Sequence, residues 1–367
     1  MNASARHPVI IVLLSALTFF ALDNLIFRSG LFMRLVPPIT ASAQLFSTVH
    51  AEEARRPSSR FDVLITGNSR MECGFSQALF SEIYPNSRLN PVKSTLPGSD
   101  PKWWYYILKE LDPKQDRYAA IVLQIDAFRA RPTIKDAENS YDTAQALAPI
   151  MRISDIPSFA RTFTDDAVRA RVWKKMILSS WGTGLEWFLP AWQFAERLVG
   201  ERRKERGANG SPQTVEDLRI SNQTGRVITY PAHFDAFRKK QTDLQFIRPS
   251  EQEAKRFTAR EADFQEKWLR RIADLYRNSA TKLVILQTPR WPMPLPAMMP
   301  IDSAPDLRAD LDDLPNVKFI SERDFAALEN PREFFDILHL NATGQAKFTE
   351  VLGRQLQVLI PASDASP

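Results

Sequence analysis

The chain has only one cysteine and four histidines in 367 residues. A single thiol, Cys73, cannot close an intrachain disulfide, so the fold must rest on its apolar core. Zinc motifs built on cysteine pairs are excluded, and the histidines show no His-x-x-x-His spacing, so no metal site is expected. Cys73 lies close to Ser69, but free cysteine is a common small buried residue and is read that way here. No block of Lys and Arg is interleaved with aromatics. The formal charge of +5 is small for the length, so a nucleic-acid partner is not expected. No internal repeat is evident. Hydrophobic residues at 44% and charged residues at 25% are ordinary for a globular protein. The length suits one large domain or two small ones.

Long apolar runs are also scarce, with one exception. Pro8 to Phe27 reads PVIIVLLSALTFFALDNLIF, about the roughly 20 residues a bilayer-spanning helix needs. Asp23 and Asn24 lie near its far end, and Arg28 closes it. Ala41-Ser42-Ala43 has the form of a signal-peptide cleavage site but lies well beyond the run, past Arg28 and Arg34, whereas cleavage normally follows the apolar core closely. Residues 1–28 are therefore read as one uncleaved N-terminal transmembrane anchor. Arg6 before the run and Arg28 and Arg34 after it leave the charge bias nearly balanced. An outward-facing main domain is the expectation taken.

Residues 29–60, rich in Pro, Ser, Ala and charge, read as a linker. A folded domain is expected over 61–360, with a short tail at 361–367. Four apolar runs read as buried strands: 61–66, 119–125, 282–287 and 317–320, with a weaker one at 88–92. Helical patterns alternate with them at 75–84, 102–111, 258–278 and 342–360, the last with Asn341 as N-cap. Such alternation predicts an α/β fold with a mainly parallel sheet and helices on both sides. Residues from about 130 to 257 are too many for a loop and predict a large helical insertion between strands three and four. Trp173, Trp181, Trp187 and Trp192 suggest a small packed core within it. His233, also there, has no evident partner.

Two short pieces carry the chemistry. Gly67-Asn68-Ser69-Arg70 follows the first strand, and Asp336-Ile337-Leu338-His339-Leu340-Asn341 precedes the last helix. Serine is a weak nucleophile until a base takes its proton. A serine at the C-terminal edge of a sheet stands where open α/β sheets put their sites. Asp336, three residues before His339, can hold one ring nitrogen while the other faces Ser69. A helix beginning near Cys73 or Phe75 offers N–H groups toward developing negative charge. Arg70 and Arg290 follow strand ends and could meet an anionic or acyl group. Trp103 starts the helix after Gly98 and could face a sugar ring.

This arrangement resembles the SGNH hydrolase superfamily, also called GDSL-like, over residues 61–128 and 280–360. The resemblance implies a flavodoxin-like three-layer fold and a Ser69–His339–Asp336 triad. It also implies an oxyanion site from the backbone N–H groups of Ser69 and Gly98, the latter in Leu96-Pro97-Gly98-Ser99, with no cofactor. The Asn that usually follows strand three is missing; the strand runs Ile121-Val122-Leu123-Gln124-Ile125-Asp126. Gln124 is a further candidate donor, while an ionised Asp126 would repel an oxyanion.

Asn68 in place of the usual Asp, Arg70 after the serine and the N-terminal span are similar to membrane-anchored proteins of envelope polymer acylation. Examples are those of teichoic-acid D-alanyl transfer and of alginate and cellulose acetylation. That likeness implies a serine O-acyltransferase, of acetyl groups above all, working on an envelope polysaccharide. It implies a bacterial inner-membrane location with the catalytic domain outside, and a multi-span membrane-bound O-acyltransferase as partner. An esterase using the same triad on a carbohydrate or lipid, or a catalytically weak scaffold, are the alternatives.

Overall fold

The computed structural model describes residues 3–29, 41–125, 138–178, 251–289, 311, 314–334 and 338–360. The chain forms two compact units: Met1–Glu53 with Lys135–Arg206, and Ala54–Ile134 with Gly207–Pro367.

The second unit holds a five-stranded sheet in the order β2-β1-β3-β4-β5, every pair parallel. Its strands are β1 (Phe61–Gly67), β2 (Leu89–Thr95), β3 (Ala120–Ile125), β4 (Lys282–Gln287) and β5 (Val317–Ile320). The α/β class and parallel sheet expected from the sequence are thus present. Val63, Ile65, Ala120, Val122, Val284, Leu286 and Ile320 belong to a core shared with Phe75, Phe80, Phe348, Leu352 and Leu356. The alternating residues Leu64, Ile121, Leu123, Leu283 and Ile285 are equally buried, so both faces of the sheet are covered. That is why the central strands read as continuous apolar runs. β2 is an edge strand, where Asn90, Pro91 and Lys93 are tolerated.

Short helices α3 (Ser69–Gly74) and α4 (Gln77–Ile83) follow β1, and α5 (Pro101–Leu111) follows β2. The helix expected at 75–84 is α4, and a further short helix, α3, precedes it. α3 begins at Ser69 itself, because Asn68 is an effective N-cap, and Ser76 restarts the helix by accepting the Leu79 N–H. Trp268, on the long helix before β4, is fully buried beside Tyr105 and Tyr106 of α5. At the end of α5, Asp112 accepts the N–H groups of Asp116 and Arg117 and the hydroxyl of Tyr276. Burial raises the Asp112 carboxyl above its ordinary range, against the pull of those three donors, and raises the Tyr276 phenol too.

The first unit holds α1 (Ala3–Arg28), α2 (Ala41–Ala54), α6 (Tyr141–Leu147), α7 (Ile156–Ala160) and α8 (Asp166–Ile177). Two expectations change. The segment read as a linker contains α2, whose Leu45, Phe46 and Val49 are buried at helical spacing; its Ser, Ala and charge masked that face. The first part of the insertion groups with the N-terminal segment rather than with the sheet. Trp173 is half-buried, while Trp181, Trp187, Trp192 and His233 lie outside the described residues. The helix expected at 258–278 is α9 (Glu251–Leu275), which begins within the last residues assigned to the insertion, and the last is α10 (Ala342–Leu359). Pro8–Arg28 of α1, 21 residues, is long and apolar enough to cross a membrane, a property signal sequences share.

Candidate active site

β1 ends at Gly67 and the chain turns at once into α3. Asn68 makes that turn: its Oδ1 accepts the Arg70 N–H at 3.0 Å. The same oxygen accepts Nε2 of Gln124 at 2.8 Å, and Gln124 Oε1 accepts the Asn68 N–H at 3.2 Å. A fully buried side chain from the neighbouring strand thus fixes the cap that immediately precedes Ser69. The fit leaves no room at Gly67, where a Cβ would lie 2.5 Å from Gln124 Oε1 and 2.7 Å from Met71 Cβ. The sequence makes Gln124 a candidate oxyanion donor. Fully buried and turned onto Asn68, it instead positions the loop that carries the serine.

Gly98 lies in a type II turn. The Ser99 N–H bonds the Leu96 carbonyl at 3.1 Å, Pro97 supplies the fixed φ, and Gly98 has φ +76°. The turn is pinned to β1, because the Leu96 N–H at 2.9 Å and the Ser99 hydroxyl at 3.2 Å both donate to the Gly67 carbonyl. Trp104 Nε1 donates to that hydroxyl at 2.8 Å, tying α5 to the same point. Gly98 is therefore held beside the residue that leads into Asn68-Ser69.

The remaining piece comes from the far end of the chain. A 3₁₀ turn, Pro331–Glu333, is followed by an antiparallel bridge between Phe334 and Leu340. Asn341 donates its N–H to the Glu333 carbonyl at 2.9 Å and its Nδ2 to the Arg332 carbonyl at 2.7 Å. Its Oδ1 caps α10 by accepting the Gly344 N–H at 3.0 Å. Gly344 is required there, since a Cβ would stand 2.2 Å from the Glu333 carbonyl oxygen. These bonds hold the chain on either side of His339.

His339 is 5% exposed, and its Nε2 lies 2.9 Å from Ser69 Oγ, across 270 residues of sequence. Ser69 is half-buried at the C-terminal edge of β1. With Nε2 unprotonated, the Ser69 hydroxyl donates to it, the relation a nucleophile needs with its base. The structure thus brings Ser69 and His339 into contact and holds the Gly98 turn on the residue preceding their loop. Asp336 and Arg290 lie outside the described residues. Arg70 sits half-buried next to Ser69 in α3. Trp103 is 5% exposed, so it offers no open face to a sugar ring, contrary to the expectation for it.

One cluster beneath the serine was not anticipated. Glu72, buried on α3, accepts the Thr95 hydroxyl, and Lys93 Nζ reaches its carbonyl at 2.6 Å and its Oε1 at 3.5 Å. It braces the serine-bearing helix against β2. A lysine within an otherwise largely buried edge strand is its signal in the sequence. Among the described residues, no group of three or more His, Cys, Asp or Glu side chains could hold a metal ion. Compared with protein-family models and with curated proteins, the chain matches none.

Proposed function

We propose that this protein is a membrane-anchored serine O-acyltransferase of the SGNH type, moving an acyl group, acetyl above all, onto a hydroxyl of a cell-envelope polysaccharide. The observation that carries the reading is the 2.9 Å contact between Ser69 Oγ and His339 Nε2 at the C-terminal edge of a parallel sheet. Its neighbours support it: a cap at Asn68 braced from β3, and a glycine turn fastened to Gly67.

In this reading Ser69 Oγ attacks the acyl carbonyl of a donor ester while His339 Nε2 takes the hydroxyl proton. The C–O bond to the donor alcohol breaks, and that oxygen leaves with the proton from His339. The acyl-Ser69 ester is then attacked by a sugar hydroxyl, whose proton passes through His339 back to Ser69. Asp336, three residues before His339, is assigned to orient the imidazole. The N–H groups of Ser69 and Gly98 are assigned to the oxyanion. One donor fewer than the usual three implies slower chemistry, by about 100–1000-fold for each donor lost.

α1 supports a membrane location. An anchor, rather than a removed signal, is supported by Arg28 at its end, whose guanidinium donates to the carbonyls of Met151 and Met176. The main domain is assigned to the outer face of a bacterial inner membrane, beside a multi-span membrane-bound O-acyltransferase that would supply acyl groups.

The test is acyl turnover by the full chain in detergent, using a chromogenic acetyl ester with and without an oligosaccharide acceptor. Acetylated sugar made by the wild type and lost in Ser69→Ala supports transfer. Free acetate alone, unchanged by acceptor, would make the protein an esterase. Equal rates in wild type and Ser69→Ala would remove Ser69 from the chemistry.

A further inference from the structure

The apolar side chains of α1 are exposed from Val9 to Ile26, but its last turns change character. Asp23 and Phe27 are buried, and Phe20, Asn24 and Arg28 are half-buried, a spacing that marks one helix face. Along that face Asn24 Nδ2 donates to the Phe20 carbonyl at 2.8 Å, and Arg28 Nε donates to Asn24 Oδ1 at 2.6 Å. The two terminal nitrogens of Arg28 donate to the carbonyls of Met151 and Met176. One planar fork therefore joins the end of the apolar helix to the chain after α6 and to the last turn of α8.

The residues beside those two carbonyls are apolar and basic. Arg152 is exposed, Ile153 is 50% exposed and Ile177 is 41% exposed. α8 is charge-polarised: Asp165 and Asp166 lie at its start, while Arg169, Arg171, Lys174 and Lys175 come after them with no acidic residue up to Leu178. The 21 residues Pro8–Arg28 span about 31 Å, close to a bilayer's hydrocarbon thickness, which sets Arg28 at the boundary. Met151 and Met176 share that level, since one arginine side chain reaches both.

We propose that helices α6–α8 lie on the bilayer surface around the end of α1. Arg152, Lys174 and Lys175 bind anionic phospholipid headgroups, and Ile153 and Ile177 enter the interface beneath them. The proposal rests on α1 being a membrane anchor. Long basic side chains carry their charge outward over an apolar stem, so basic and aliphatic residues side by side suit the headgroup boundary. Their charge is complementary to anionic lipid, and the patch is continuous with the apolar helix through Arg28.

The test uses the full chain in vesicles of phosphatidylcholine with or without phosphatidylglycerol. A fluorophore is placed in turn on Leu17→Cys, Ile153→Cys and Ile177→Cys; native Cys73, 1% exposed, gives the background. Quenching by a lipid-borne nitroxide is compared with quenching by aqueous iodide. All three sites are expected to favour the lipid quencher. Arg152→Glu with Lys174→Glu is expected to cut lipid quenching at Ile153→Cys at least about threefold in phosphatidylglycerol vesicles. If Leu17→Cys is not quenched by lipid, the anchor reading fails and this proposal with it. If Leu17→Cys is quenched by lipid while Ile153→Cys and Ile177→Cys meet iodide, the anchor stands and the surface proposal is overturned. Shielding of those two from both quenchers points to a protein covering and also overturns it. Lipid quenching that ignores both phosphatidylglycerol and charge reversal overturns the headgroup assignment.

Discussion

Gln124→Glu changes one donor into an acceptor and leaves the shape of the side chain intact. In the native protein Nε2 donates to Asn68 Oδ1 at 2.8 Å while Oε1 accepts the Asn68 N–H at 3.2 Å. A carboxylate keeps the second bond and loses the first, leaving two acceptors facing each other. Asn68 cannot escape by turning its amide, because Oδ1 also accepts the Arg70 N–H that caps α3. The lost bond is worth about 1 kcal/mol, and a buried acceptor without its donor costs about 1–3 kcal/mol more. The sum is about 2–4 kcal/mol at neutral pH, or roughly 4–16 °C in Tm for a domain of this size. A pH leg makes the test sharper. Burial raises the pKa of the new Glu above its unfolded value of about 4.3. A raised folded pKa means stability is fully present below the unfolded value and is lost as pH rises through the folded one. The deficit is therefore expected to be small near pH 4 and complete near pH 7, by thermal and urea unfolding followed with circular dichroism. Acyl turnover should fall with it, because the cap holds Ser69. A variant within about 0.5 kcal/mol of wild type at both pH values would refute the Asn68–Gln124 pairing.

Other substitutions separate the remaining roles. Asn68→Asp keeps both acceptor contacts and is expected to stay within about 1 kcal/mol of wild type, whereas Asn68→Ala loses the cap and costs about 2 kcal/mol, read by urea unfolding. Gly98→Ala meets no atom within 4 Å but must hold φ +76°, so about 1 kcal/mol is expected. Gly344→Ala drives a Cβ into the Glu333 carbonyl and is expected to cost more than Gly98→Ala, with loss of turnover as the His339 segment shifts. Asp112 has a raised carboxyl pKa, so its contribution is largest in acid and declines as pH rises through the raised value. The stability of wild type relative to Asp112→Asn should therefore improve between pH 7 and pH 4, measured by thermal unfolding.

The central strands were legible because both their faces are buried, which gives β1, β3 and β4 the aliphatic runs Val63–Ile65, Ala120–Leu123 and Leu283–Leu286. β2 was faint because an edge strand accepts Asn90, Pro91 and Lys93. The two halves of the site were legible as local chemistry: a Gly-Asn-Ser turn after a strand and a His before a capped helix. Their meeting at 2.9 Å is set by the strand order and by Asn341, which no local pattern encodes. Gln124 is misread from sequence because a strand residue's partner depends on register across the sheet, not on its own neighbours. Trp103 is misread because an aromatic beside a cleft and one beneath it look alike in sequence. The helix at Ala41–Ala54 was hidden by alanine, serine and charge flanking a narrow apolar face.

The central claim is that His339 makes Ser69 a nucleophile. A fluorophosphonate probe reports this directly, since it reacts with an activated serine and leaves a mass tag that peptide sequencing can place. The full chain is expected to carry one tag on Ser69, with labelling slowed at least about 100-fold in His339→Ala while the fold is retained. A tag elsewhere, no tag at all, or labelling of Ser69 at an unchanged rate in His339→Ala would contradict the account.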